Sequence, residues 1–136
     1  MPQKWTSANR LTLALFMTLF PAQIALAGNE SRYEAYRLSD NTFEVIADFS
    51  ENAIYWCGAS LYARGVFSND ATQKIYVLQS PSPSVAKPNF VSVRFGFQPP
   101  KDGATYSGWS NSVDIIGNSR SIAQAFSGCT ERSASG

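Results

Sequence analysis

The stretch "FEVIADFSENAIYWCGASLYARG", Phe43 to Gly65, changes its periodicity halfway, and that change decides the fold. In its first part Phe43, Val45, Ala47 and Phe49 alternate with Glu44, Ile46 and Asp48, the period of a strand with one buried face. From Glu51 the period becomes helical. Ile54, Cys57, Gly58 and Leu61 form one apolar stripe, Tyr55, Ala59 and Tyr62 a second, and Trp56 with Ala63 a third. Ser50 is the expected cap, Glu51 lies in the first turn where the helix dipole favours a negative charge, and Arg64 and Gly65 mark the far end. A helix that is apolar on nearly every side is a buried one, so residues 51–64 are expected at the centre of the domain, with Trp56 in a structural role.

Working outward, Ser39-Asp40-Asn41-Thr42 supplies turn residues, so Tyr33 to Leu38 is expected to pair with the Phe43 strand as a hairpin. Downstream, Lys74 to Gln79 reads as a short strand. Prolines 81, 83 and 88 then predict an extended surface loop over residues 80–89. "FVSVRFGFQ", Phe90 to Gln98, alternates with Val91, Val93, Phe95 and Phe97 inward and Ser92, Arg94, Gly96 and Gln98 facing water. Ser112 to Gly117 is a last expected strand, and Asn118 or Ser119 caps a final helix with Ile122, Phe126 and Cys129 on one stripe. The class is therefore α+β: a small antiparallel sheet of three to five strands, a buried helix and a C-terminal helix on one face, joined by one disulfide.

The disulfide expectation comes from the compartment. Lys4 and Arg10 precede an apolar run from Leu11 to Phe20, then Pro21 and a small-residue boundary at Ala25-Leu26-Ala27, the pattern of a signal peptide over residues 1–27 cleaved after Ala27. The apolar run is too short to cross a bilayer, which takes about 20 residues. Residues 28–136 then form a single exported domain, periplasmic or secreted, with an ordered core over about 33–130 and no membrane span after cleavage. Gly28 to Ser31 and the tail after Thr130 are expected to fray; Asn29-Glu30-Ser31 fits a glycosylation sequon but carries little weight. In an oxidising compartment the only two cysteines, Cys57 and Cys129, are expected to pair, and Gly58 to let their helices approach closely.

Composition removes many activities. The chain has no histidine, hence no Ser-His-Asp or Cys-His arrangement and no zinc site from two distant cysteines; no cofactor or metal is expected. "WCG" at residues 56–58 lacks the second cysteine of a redox pair, because position 60 is Ser. Ser84-Val85-Ala86-Lys87 fits an S-x-x-K motif, with Ser39-Asp40-Asn41 as S-D-N and Lys101-Asp102-Gly103 near K-T-G, but the order is wrong and prolines flank the serine, so the match is coincidental. Glu44 and Asp48 share a strand face but lie about 13 Å apart, too far for a glycosidase pair. Asp114 and Arg94 are expected to meet, if at all, as an exposed cross-strand pair. Without Lys4 and Arg10 the formal charge falls from +1 to −1, with no basic excess for nucleic acid.

Tyr55-Trp56-Cys57-x-Ala59, Ile75-Tyr76-Val77, Pro83-Ser84 and Val93-x-Phe95 together resemble a pattern in small exported bacterial proteins of unknown function, over about Phe43 to Phe97. The resemblance implies bacterial export and carries no activity.

What remains is binding. The loop "PPKDGATYSGWSN", Pro99 to Asn111, holds Tyr106 and Trp109 among glycines and serines with no periodicity to send both inward, which makes them the candidate ligand-binding residues. The competing arrangement folds one or both rings back over the Ile54 helix, and for Trp109 it is slightly favoured. The expected function is non-catalytic binding of a protein or glycan partner outside the cytoplasm. The alternatives are a small hydrolase built on Asp or Glu and an accessory or inhibitor of an envelope enzyme.

Overall fold

A computed structural model of the chain describes residues 28–131. The predicted signal peptide, residues 1–27, and the tail 132–136 lie outside the described residues. Five strands, β1 (Tyr33–Arg37), β2 (Thr42–Ala47), β3 (Lys74–Pro83), β4 (Val91–Gly96) and β5 (Ser119–Ser121), form one antiparallel sheet in the order β1-β2-β4-β3-β5. Helix α1 (Asn52–Gly65) follows β2, and the short helix α2 (Ile122–Phe126) follows β5 and runs into a 3-10 turn at Ser127–Cys129. β4 enters between β2 and β3, so α1 crosses the inner face of the sheet on its way from one to the other.

The periodicities explain this packing. Phe43 and Val45 of β2, Val93 and Phe95 of β4, and Ile75 and Val77 of β3 point at Tyr55, Trp56, Ala59 and Ala63 of α1, with Val113, Ile122 and Ala125 closing the core. The Phe43 ring lies within 6 Å of Tyr62, Phe67, Phe95 and Phe97, an aromatic cluster at one end of the sheet. Cys57 and Cys129 are bonded, with their α-carbons 4.6 Å apart.

The close approach of the helices has a different origin from the expected one. Gly58 faces the sheet: a β-carbon there would lie 2.7 Å from the Tyr33 ring and from Val45. Gly128 is what lets the chain reach α1, since a β-carbon on it would lie 2.5 Å from the Ala53 carbonyl oxygen. The N-terminal stretch, expected to fray, is held down as well. Asn29 is 2% exposed, and its Nδ2 donates to the carbonyls of Gly128 (2.7 Å) and Glu131 (3.1 Å). The sequon nitrogen is thus occupied in the folded domain.

Three further expectations change. Strand β3 does not stop at Gln79 but continues through two register shifts to Pro83. This is tolerated because β5 pairs only with Lys74–Tyr76, so the prolines fall where one side of β3 has no partner strand. Residues 112–117 are bends and turns rather than a strand; Gly117 has φ 87°, and the last strand comes two residues later. The last helix is capped by Ser121, not Asn118 or Ser119: the Ser121 hydroxyl accepts from the Gln124 amide while the Gln124 side chain accepts from the Ser121 amide. At α1, likewise, Glu51 rather than Ser50 takes the cap position.

Candidate functional site

The outer face of the sheet was expected to meet water, and at Glu34, Tyr36 and Arg94 it does so at least in part. Its middle is closed: Glu44 and Ile46 are 1% and 6% exposed, and the chain between β3 and β4 folds back over Glu44. Glu44 organises the cover. Its Oε1 accepts from Ser84 Oγ (2.5 Å) and the Ala86 amide (2.8 Å), and its Oε2 from Ser92 Oγ (2.9 Å) and the Val85 amide (3.1 Å). Burial would raise its pKa, but the hydrogen bonds from Ser84, Ala86, Val85 and Ser92 outweigh it and hold the carboxyl below its ordinary value.

The S-x-x-K segment therefore has a structural use. Ser84 Oγ accepts from the Lys87 amide (2.9 Å), and the Lys87 ammonium turns away to Glu34 (2.9 Å) and the Phe90 ring. Ser84 is buried, and the base beside it is a carboxylate with a depressed pKa, the opposite of what proton abstraction near neutral pH asks for. Asp48 lies beyond the end of β2 and is exposed, so it makes no pair with Glu44. No ion pair joins Arg94 to Asp114. Among the described residues no group of three or more His, Cys, Asp or Glu side chains gathers to hold a metal.

This arrangement makes a prediction. Glu44→Gln replaces one acceptor oxygen with an NH2 group that faces donors, so it should destabilise the domain at neutral pH by about 2 kcal/mol, as for a charged group losing buried hydrogen bonds. Because the folded-state pKa is lowered, the native contribution is fully present above the usual 4.5 and is lost as the pH falls through the depressed value. Urea unfolding of both proteins should thus show a gap at pH 7 that closes on acidification; a gap independent of pH would count against the charged nest.

The two sequence-nominated aromatics lie on the loop between β4 and β5. Trp109 does not fold back over α1: it is 99% exposed. Tyr106 is half-buried, with its ring lying over Gly108. They border a shallow cleft of about 600 Å3 whose other lining residues, Gly108 apart, are polar, Lys74, Asn111, Arg120 and Gln124 among them. The cleft rests on the core. Trp56 Nε1 donates to the Asn111 carbonyl (2.7 Å), and the Arg120 guanidinium lies over the Trp56 ring at 5.9 Å. Asn118 Nδ2 ties the same loop through the carbonyls of Ser110 (3.1 Å) and Ser112 (2.8 Å).

A second concavity, about 560 Å3, opens on the outer face beside the Glu44 nest and is mostly apolar, with Arg94 in its lining. Sequence reading missed it because its walls come from four separate segments, and Arg94 looked like an ordinary water-facing strand residue. Compared with known protein families, curated proteins and solved structures, the chain matches none of them.

Proposed function

We propose that this is a non-catalytic binding domain that acts outside the cytoplasm, with the Trp109 cleft as its ligand face. The observation that carries the reading is an indole ring almost wholly in water, on a loop anchored from below by Trp56 and Asn118. A large exposed aromatic on an anchored loop loses little entropy on binding and offers a flat apolar face. The polar groups around it suit the hydroxyls of a glycan, so an extracytoplasmic glycan is the favoured partner. Export is supported by the basic-apolar N-terminal segment and by the disulfide, a bond that persists in oxidising compartments. The resemblance to small exported bacterial proteins agrees with it.

Retention of the disulfide-bonded domain on insoluble peptidoglycan, chitin and cellulose tests the reading. Trp109→Ala should leave the unfolding midpoint unchanged, because the ring covers nothing, and should reduce retention at least tenfold, as loss of a central aromatic anchor does. Equal retention of both proteins, or retention of neither on any of the three, would overturn it.

A further inference from the structure

The groove on the outer face is independent of the Trp109 cleft, and its chemistry is more specific. Leu38 from the β1–β2 turn, Leu78 from β3, Val85 from the cover and Pro99 and Pro100 after β4 wall it, and Gly96 contributes no side chain to its floor. A β-carbon there would lie 2.6 Å from a terminal methyl of Leu78 and 3.1 Å from the Asn41 carbonyl oxygen, so a side chain at this position would displace the Leu78 wall of the groove. Its volume falls in the range of about 300–1,000 Å3 typical of small-ligand pockets.

Arg94 gives the groove a polarity. Its cross-strand neighbour on β2 is Glu44, the natural ion-pair partner. Yet both Glu44 oxygens are taken by Ser84, Ser92 and the Val85 and Ala86 amides, and the guanidinium forms no ion pair among the described residues. Its Nε is also shut off from water with no acceptor in reach. A buried donor without a partner is unfavourable, and one on a guanidinium more so. The only charged side chains lining the groove, Arg94 and Lys101, are both cationic.

We propose that this groove binds a small amphipathic carboxylate, a medium-chain fatty acid, with its tail along Leu38, Leu78, Val85 and the two prolines. The carboxylate pairs end-on with Arg94: its two oxygens accept from the two terminal nitrogens, the two-bond fork that guanidinium offers a planar anion, while the enclosed Nε–H stays out of reach. The apolar walls exclude a freely hydrated ion as the preferred ligand. The Glu44 nest keeps the competing internal carboxylate away from Arg94, so the same hydrogen bonds that hold the cover in place leave the arginine for the ligand.

Titration calorimetry of the disulfide-bonded domain with decanoate, decanol and decyltrimethylammonium, all below micelle formation, tests the proposal. Decanoate should bind at least tenfold more tightly than decanol, and the cationic amphiphile should not bind. Arg94→Met should weaken decanoate about 10- to 100-fold, the range for losing hydrogen bonds to a charged group, and leave decanol unchanged. Val85→Trp, at a side chain that is already 60% exposed, should block both without lowering the unfolding midpoint. Decanoate should also shift the Arg94 guanidinium resonances of 15N-labelled protein, a readout that survives if Arg94→Met fails to fold. Equal affinity for decanoate and decanol, unmoved guanidinium signals, or tighter binding of a peptide C-terminus than of decanoate would overturn it. Trp109→Ala should bind decanoate normally, so failure here and failure of the cleft as a ligand face are read separately.

Discussion

Opening the Cys57–Cys129 bond should lower the stability of the domain by roughly 4 kcal/mol, the chain-entropy expectation for a closed loop spanning a sequence separation of 72. Domains of this size have net stabilities of about 5–15 kcal/mol, so the loss removes a large share of the total. The bond also holds more than two sulfurs. Cys129 ends the turn whose Gly128 carbonyl accepts from Asn29, so the N-terminal stretch, the C-terminal turn and α1 meet at one place. Guanidinium unfolding with and without reductant, and of the variant carrying both Cys57→Ala and Cys129→Ala, measures the effect. Thiol titration of denatured, unreduced protein should find no free sulfhydryl. Two free thiols, or an unchanged unfolding midpoint on reduction, would contradict the expectation.

Trp56→Ala should be of similar size, about 3–5 kcal/mol for a large aromatic cut back in a packed core. The ring is fully buried, packs at a tilt against Phe95 with ring centroids 5.2 Å apart, and its Nε1 donates to the Asn111 carbonyl. Two effects combine in this variant, a cavity under the sheet and release of the loop that carries Trp109. Trp56→Phe separates them. It keeps most of the packing and removes the donor, so it should cost about 1 kcal/mol, the net contribution of one hydrogen bond whose acceptor sits on an exposed loop residue. It should also speed hydrogen exchange in residues 106–111 ahead of the rest of the domain. A Trp56→Ala protein as stable as the native one would move this tryptophan from the core to the functional surface.

The cleft and the groove stand differently toward the sequence. Tyr106 and Trp109 could be nominated from the sequence because large aromatics in a glycine- and serine-rich stretch have no periodicity to bury them. The sequence does not say which ring stays in water: in the fold Tyr106 lies half-buried over Gly108 and Trp109 is exposed. Arg94 could not be nominated. Alternation places it outward on β4, and an exposed pairing with Asp114 is the ordinary expectation for such a residue. It becomes distinctive only once the hydroxyls of Ser84 and Ser92 and two backbone amides, all from distant positions, have satisfied Glu44.

By itself the sequence determined the elements whose signals are local and repeated. The change from a period of two to a helical period across Phe43–Gly65 is enough for β2 and a buried α1, and a pair of cysteines on two apolar helical stripes is enough to expect the bond that joins the helices. These follow from backbone geometry and burial of apolar surface, which act on residues a few positions apart. Tertiary structure alone decided the rest: the extension of β3 through two prolines at an unpaired edge, the conversion of residues 112–117 into turns, the burial of Asn29 against Gly128 and of Glu44 under the β3–β4 cover. Each depends on where a partner lies once the sheet has assembled. Hydrogen-bond satisfaction of a buried polar group is a property of the space around it, and the neighbours that fill that space are far apart in the chain.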